Sequence, residues 1–365
     1  MNILLFSKII AHTGVGNHIK ELSAELAKQG HRVVVASSTN EMEVEKSDTQ
    51  NIKFYRIPVT TKNPLKVFKN LRILNSIIRK EKIDVVHCHH RMAALYMRAY
   101  KCIKSIPVVY TLHLAPVPSD FIHRILTYAG DKAIGVSTEV SEFLINKLKV
   151  KAKRVTTVLN GVDNEKLLPL SDDEKKAIKE KYNISDDKTV LVMHSRIDRV
   201  KNHLFTVDVV SKLPQKVKDK VVVLCSGGKG GNYYQEVLEK IKEYGLEKNF
   251  VFTGWINTRD IMGVADLVLL PSINEGFALT VIEAYFMKVP VERTESGGYK
   301  DQKIGCGCID LDKPDELVEK ITALCEKGKE IYKEQVDRAY EFAIENVTVE
   351  KMVENTVDVY KEVCK

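Results

Sequence analysis

Short apolar runs alternate along this chain with longer segments whose apolar positions recur at intervals of three and four. In the first half the runs at Asn2–Phe6, Arg32–Ala36, Lys53–Ile57, Asp84–His87, Val108–Thr111, Ala133–Val136 and Val155–Leu159 read as strands, and Gly16–Gln29 and Pro64–Lys82 as amphipathic helices. The second half repeats the plan, with strands expected at Thr189–Met193, Val221–Cys225, Phe250–Thr253, Leu267–Leu270, Val289–Val291 and Cys308–Ile309. Helices are expected at His203–Leu213, Tyr233–Tyr244, Asn257–Val264 and Pro314–Cys325, and the last of three closing helical stretches at Val349–Val363. Alternation of this kind implies an α/β chain with a parallel sheet wrapped by helices, twice over. The joint falls at the turn Asn160-Gly161-Val162-Asp163, which divides the chain into 1–163, 164–345 and a closing stretch 346–365. Ligands of open parallel sheets bind beyond the carboxyl ends of the strands, so the segments that follow the strands are where chemistry is to be sought.

The most informative of these is Asn274–Ala284, N-E-G-F-A-L-T-V-I-E-A, after the run Leu267–Leu270 and the stop Pro271-Ser272. Gly276 permits a tight turn and Phe277–Lys288 carries helical spacing, which puts Glu275 in the turn and Glu283 on the helix. At ~1.5 Å rise per residue the two carboxylates lie roughly 12 Å apart, with the unpaired N–H groups of the helix start (Gly276, Phe277, Ala278, Leu279) between them as an anion site. An anion flanked by two hydroxyl-binding carboxylates suits a nucleotide-diphosphate sugar. A surface helix with two unrelated glutamates is the alternative on spacing alone.

Other strand ends offer further candidates. Thr13-Gly14-Val15-Gly16 lets backbone approach a phosphate or sugar, but it is no dinucleotide fingerprint, because Ile19 stands where a third glycine is required. Arg196 and Lys201, five apart in a strand-to-helix turn, can clamp a diphosphate. His87, His89, His90 and His113 close two strands; without an acidic ligand among them, packing is the simpler reading than metal binding. Asp310-Leu311-Asp312 has a metal-binding form but reads as a strand end.

Charge and cysteines narrow the setting. Residues 1–163 carry 25 Lys and Arg against 13 Asp and Glu, whereas residues 164–365 carry 31 against 36. The first half therefore expects an anionic partner. No nucleic-acid-binding pattern accompanies the charge, whereas an anionic membrane or phosphorylated lipid acceptor fits it. Around the apolar stripe Val67, Leu71, Leu74 and Ile78, the basic residues Lys62, Lys66 and Lys69 form a candidate acceptor or membrane side. Seven scattered cysteines argue against a disulfide framework, and no apolar window is long enough to span a bilayer. The expectation is a cytoplasmic protein, peripheral on the inner leaflet.

The pattern E-G-F-x5-E-A, followed by V-P-V and Gly297-Gly298, resembles the E-x7-E motif of retaining GT-B glycosyltransferases of family 4. H-S-R-I-D-R-V-K is similar to that family's G-R-x4-K-G, with Ser195 and Asn202 in place of its glycines. T-G-V-G-N-H-I-x-E-L, D-V-V-H-C-H, T-L-H, N-G-V-D, the glycine-bearing turn Ser226–Gly231 and F-T-G also stand where the family has counterparts, and Lys288 replaces its glycine before V-P. The resemblance implies a GT-B fold: two Rossmann-like parallel-sheet domains facing across a cleft, with the C-terminal helix crossing back to the first. It implies retaining transfer of a sugar from a nucleotide-diphosphate donor, UDP-sugar first, to a lipid-linked or saccharide hydroxyl, with no cofactor and no metal. Glu275 would hold the donor sugar, Glu283 the ribose, and Arg196 with Lys201 the diphosphate. His113 would face the sugar, Gly14 and Gly16 would line the donor loop, and Gly254 would lie near the base. A nucleotide-sugar epimerase, a phosphorylase or a non-catalytic binding protein stays open as an alternative.

Overall fold

A computed structural model describes residues 1–8, 14–39, 51–61, 63–228 and 231–365; Thr13, Lys62, Lys229 and Gly230 lie outside the described residues. The chain divides into two compact units, Met1–Val162 with Asn346–Lys365, and Asp163–Glu345.

Unit 1 contains β1 (Asn2–Phe6), α1 (Gly14–Lys28), β2 (Arg32–Ser37), β3 (Ile52–Arg56), α2 (Pro64–Lys80), β4 (Val85–Cys88), α3 (Arg91–Tyr100), β5 (Val108–Leu112), α4 (Phe121–Leu126), β6 (Lys132–Gly135), α5 (Thr138–Asn146) and β7 (Val155–Thr157). Its strands are all parallel, in the order β3-β2-β1-β4-β5-β6-β7. β1, β4 and β5 are buried nearly throughout, as apolar runs covered on both faces should be. On α2 the stripe Leu71, Leu74 and Ile78 is buried together with Ile77, and Lys66 and Lys69 are exposed.

Unit 2 contains α6 (Asp172–Lys181), β8 (Thr189–His194), α7 (His203–Lys212), α8 (Gln215–Lys218), β9 (Val221–Ser226), α9 (Asn232–Glu243), β10 (Phe250–Gly254), α10 (Thr258–Gly263), β11 (Leu267–Leu270), α11 (Leu279–Phe286), β12 (Val291–Thr294), α12 (Tyr299–Gln302), β13 (Gly307–Ile309), α13 (Pro314–Lys327) and α14 (Lys333–Asn346). Its parallel sheet runs β10-β9-β8-β11-β12-β13. β12 begins two residues later than the apolar pattern places it. Lys288 takes a left-handed φ of 53° and Val289 N–H donates back to Ala284 of the helix, so the chain extends into the sheet only at Val291. Glu292 and Arg293 lie buried within that strand and conceal it from a hydropathy reading.

The chain closes with α15 (Val349–Val363), which packs on α1 and β5 of unit 1. Its return is fastened at the turn Asn160–Asp163. Val162 pairs with Thr348, and a Cβ on Gly161 would lie 2.2 Å from the Thr348 carbonyl oxygen, so only glycine admits the returning strand. Farther along, the Tyr360 hydroxyl lies 2.6 Å from His87 Nδ1, and His87 Nε2 lies 2.6 Å from Thr111 Oγ1, all three groups being buried. Removing the hydroxyl would leave an imidazole nitrogen buried without a partner. Tyr360→Phe is therefore expected to lower stability by ~1–3 kcal/mol in chemical denaturation, although it adds no cavity and removes no apolar contact.

Candidate active site

In each sheet the strand order reverses once, between β1 and β4 in unit 1 and between β8 and β11 in unit 2. The crevice at such a reversal is where open α/β sheets bind ligands. Arg196 and Lys201 follow β8 and Glu275 follows β11; His89 follows β4, and His113 follows the adjacent β5.

In unit 2 the two loops are joined by an ion pair between Lys201 Nζ and Glu275. Little of either side chain is exposed, 17% for Lys201 and 11% for Glu275, so the pair is partly desolvated. The Ile273 N–H donates to the Val200 carbonyl at 2.8 Å and adds a backbone link. Asp198, which the motif reading passes over, organises the cationic side: its Oδ1 accepts the backbone N–H groups of Val200 and Lys201, both at 3.1 Å, and its Oδ2 lies 3.1 Å from Arg196. Its only sequence signal is a carboxylate two residues after an arginine in a turn. Asn202, where the family pattern has glycine, is left-handed at φ 56°, a conformation asparagine tolerates better than other residues with a Cβ.

α11 starts at Leu279, two residues later than the helical spacing suggests, with Gly276 and Phe277 in the turn and Ala278 at the N-cap. Ala278 supplies no side-chain acceptor, so nothing from the cap competes for the first-turn N–H groups. Glu283 lies on this helix at partial exposure. The double glycine supports the turn from beneath: a Cβ on Gly297 would meet the Glu275 carbonyl oxygen at 2.1 Å, and Gly298 has φ 82° with Phe277 Cα 3.0 Å from where its Cβ would be. The fully buried Arg293 holds that loop by donating to the Ser296 and Gly297 carbonyls, each at 2.9 Å, and also to Gln302 Oε1. Gln302 in turn donates to the Ala278 carbonyl at 3.0 Å. Thr280 Oγ1 donates to the His194 carbonyl at 3.0 Å and links α11 to the end of β8.

At the end of β10, Gly254 has φ 73° in a register shift, and its carbonyl accepts from the Gly227 N–H. Beside it Trp255 is 61% exposed. Asp310 accepts from the Asp312 N–H at 3.0 Å and lies 3.4 Å from Lys313, so its carboxylate belongs to the turn after β13.

In unit 1, α1 begins at Gly14, and a Cβ there would meet nothing within 4 Å; Gly16 is buried in the helix. Of the strand-end histidines, His87 is committed to Tyr360 and Thr111, and His90 lies 2.8 Å from Ser7 Oγ. His89 Nδ1 and His113 Nε2 are 3.1 Å apart, and His18 of α1 joins them, with ring nitrogens of the three within 4.8 Å of one another. His18 stands in the segment T-G-V-G-N-H-I-x-E-L that resembles the family's opening, but the sequence reading assigns it no role. Burial keeps these rings neutral: it lowers the pKa of His18 to about 4, and those of His87, His89 and His113 well below the ordinary value. Three neutral imidazoles could ligate a transition metal, yet the bond between His89 and His113 already accounts for two of the nitrogens.

Family models match the chain twice: Glycosyltransferase Family 4 over residues 12–166 and Glycosyl transferases group 1 over residues 174–342. The chain belongs to the family 4 glycosyltransferases. This glycosyltransferase is 25% identical to the N-acetyl-alpha-D-glucosaminyl L-malate synthase of Bacillus anthracis, over 94% of this chain and 93% of that one. It is 26% identical to the UDP-Gal:alpha-D-GlcNAc-diphosphoundecaprenol alpha-1,3-galactosyltransferase of Escherichia coli, over 66% and 65%. Its fold is that of GT-B enzymes: a glycosyltransferase from Rickettsia africae superposes with a TM-score of 0.86 at 23% identity, covering 100% and 98% of the two chains. Anabaena Alr3699/HepE in complex with UDP superposes with a TM-score of 0.85 at 16% identity, covering 99% and 100%. The glycosyltransferase is a hexosyltransferase, and no helix among its described residues is long and apolar enough to cross a membrane.

Two outcomes follow from the site's geometry. Asn202→Gly should leave stability within ~0.5 kcal/mol of the parent, whereas Asn202→Val forces a β-branched residue to φ 56° and should cost ~1–3 kcal/mol in chemical denaturation. Because the pKa of His18, and likewise those of His194 and His203, is lowered to about 4 by burial, the unfolded chain binds more protons than the folded one below pH 6.5. Stability should therefore be full above pH 6.5 and fall as pH drops towards 4, by up to ~1.4 kcal/mol per pH unit for each buried histidine; denaturation midpoints across that window check this.

Proposed function

We propose that the enzyme transfers a hexosyl group, with retention of anomeric configuration, from a UDP-sugar to a lipid-linked saccharide acceptor at an anionic membrane surface. The observation that carries this reading is the uncapped start of α11, set between Glu275 and Glu283 and beside the cations of the β8 loop. A diphosphate at that helix start would receive its backbone N–H groups, with Arg196 as a fork and Lys201 as a point charge. Negative charge developing on the leaving diphosphate would be stabilised there. Glu283 would accept the ribose hydroxyls, and Glu275 those of the donor sugar. Gly254 would lie beside the base. In unit 1, a neutral His113 held by His89 would suit a sugar hydroxyl, and the backbone at Gly14 and Gly16 would suit a phosphate or sugar of the donor. The donor class is supported by the UDP bound to the Anabaena protein and by the UDP-Gal in the name of the E. coli relative, whose acceptor is a diphosphoundecaprenol. Lys66 and Lys69, exposed on α2, would face the acceptor's membrane; Lys62, the third of the basic group, lies outside the described residues.

Charge neutralisation by protein groups leaves no step that needs a divalent cation, so the reading includes metal-independent catalysis without a cofactor. Its test is a transfer assay with UDP-sugars and a polyprenyl-diphosphate saccharide, the product anomer read by NMR. Retention, full activity in excess chelator, and a fall of ~10²-fold or more in turnover for Arg196→Ala are expected. Inversion at the anomeric carbon, or activity lost to chelator and restored by Mg²⁺, would contradict it.

A further inference from the structure

The helix α4 in unit 1 is turned inside out. It has no buried residue, and its four large apolar side chains are exposed: Phe121 by 74%, Ile122 by 65%, Ile125 by 48% and Leu126 by 41%. Spaced i, i+1, i+4 and i+5, they occupy a single arc of the helix, and His123 with Arg124 occupies the other. The backbone beneath is held firmly. Asp120 caps the helix through the His123 N–H at 3.2 Å, Arg124 Nε donates to the Ser119 carbonyl at 2.7 Å, Arg91 donates to the Pro118 carbonyl at 3.0 Å, and Arg98 donates to the Ile125 carbonyl. Two of these clamps come from α3, which is also bonded to α2 through Asn70 to Tyr96 and Tyr100 to Asn75. At the start of α2, Leu65 is 79% exposed and Phe68 55%, beside the exposed Lys66 and Lys69.

The charge around this apolar arc is predominantly positive. From Val85 to Asp131 the chain carries Arg91, Arg98, Lys101, Lys104 and Arg124 against Asp120, which is engaged by His123, and Asp131, which pairs with Lys101 at 2.6 Å. Over residues 63–128 there are eleven Lys and Arg against three Asp and Glu, an excess larger than the net charge of the whole chain, +7. Exposed apolar patches rimmed by charge mark interaction sites. A second copy of the chain would bring the same cations against themselves, which disfavours a symmetric dimer through this face. A surface that is apolar in depth and anionic at its boundary complements both features.

We propose that α4 is an insertion element: Phe121, Ile122, Ile125 and Leu126 enter the headgroup–acyl boundary of an anionic bilayer, while the cations of α2 and α3 engage its phosphates. This rests on the membrane-acceptor reading above and deepens it by separating an apolar anchor from the electrostatic contact. The clamps from Arg91 and Arg98 of α3 reach the backbone carbonyls of Pro118 and Ile125, which would hold this face of unit 1 at a fixed depth.

The test is sedimentation of the full chain with phosphatidylcholine vesicles with and without phosphatidylglycerol, at low and high salt, in the absence of nucleotide or acceptor. The parent should bind only the anionic vesicles and keep a salt-resistant fraction. Phe121→Ser/Ile122→Ser/Ile125→Ser should lose ~tenfold or more of its partitioning, and what remains should vanish at high salt; donor hydrolysis should stay at the parent's level. Equal binding by parent and variant, or equal binding to both vesicle types, would overturn the proposal. A parent that is dimeric in ultracentrifugation, becomes monomeric with the triple change and ignores vesicles would make this face a subunit interface instead. Should the triple variant fail to fold, Phe121→Trp provides a second readout beside Trp255: its emission should shift to the blue on anionic vesicles, and an unchanged spectrum would overturn the insertion. Because vesicle binding is measured without substrates, its failure is distinguishable from failure of the transferase reading, which the transfer assay decides alone.

Discussion

The ion pair between Lys201 and Glu275 is the constraint on which the second unit's site depends. It joins the loop after β8 to the loop after β11, the two strands between which that sheet reverses its order. Neither partner is well solvated, so removing one would leave the other charge poorly compensated. Everything around the pair fixes its geometry. Asp198 holds the lysine's backbone and orients Arg196, while Arg293, Gln302 and the double glycine Gly297-Gly298 hold the turn that carries the glutamate. A donor that brought two phosphates to the start of α11 would offer Lys201 a second anion, and its sugar would offer Glu275 hydroxyl donors. On the proposed reading, the pair would keep two partly desolvated charges neutralised until a ligand with both kinds of group arrives.

The first unit is built on the opposite electrical principle. Its strand ends gather uncharged imidazoles, and burial keeps them so, whereas its outer helices carry the cations. A neutral ring can both donate and accept a hydrogen bond, which suits contact with a sugar, whereas exposed lysines and arginines attract anions at longer range. The same unit receives the end of the chain, and the Tyr360–His87 bond ties α15 to the strand that leads to His89.

Much of this is legible in the sequence. Parallel strands buried on both faces are near-continuous apolar runs, and among the described residues twelve of thirteen strands fall within two residues of where those runs place them at both ends. The exception, β12, ends three residues late because a left-handed Lys288 delays its entry and because Glu292 and Arg293 break its apolar pattern. The placement of Arg196, Lys201 and Glu275 is legible because charged residues just after apolar runs in such a sheet lie at the carboxyl ends of its strands. The roles of Asp198 and Arg293 are not, since each acts through a partner distant in sequence or through backbone groups that no spacing rule encodes, and His18, although within a family-like segment, meets His89 and His113 only in the fold. α4 escapes notice for a related reason: six residues are too few for a periodicity, and its outward apolar face inverts the pattern that marks a surface helix.

The most direct test of the central claim, that Lys201 and Glu275 act as one unit, is a double-mutant cycle on kcat/KM for the donor, with Lys201→Ala, Glu275→Gln and the combined variant. The account predicts that the combined variant is about as slow as the slower single one, a coupling of ~1 kcal/mol or more between the two positions. Losses that multiply independently would contradict it.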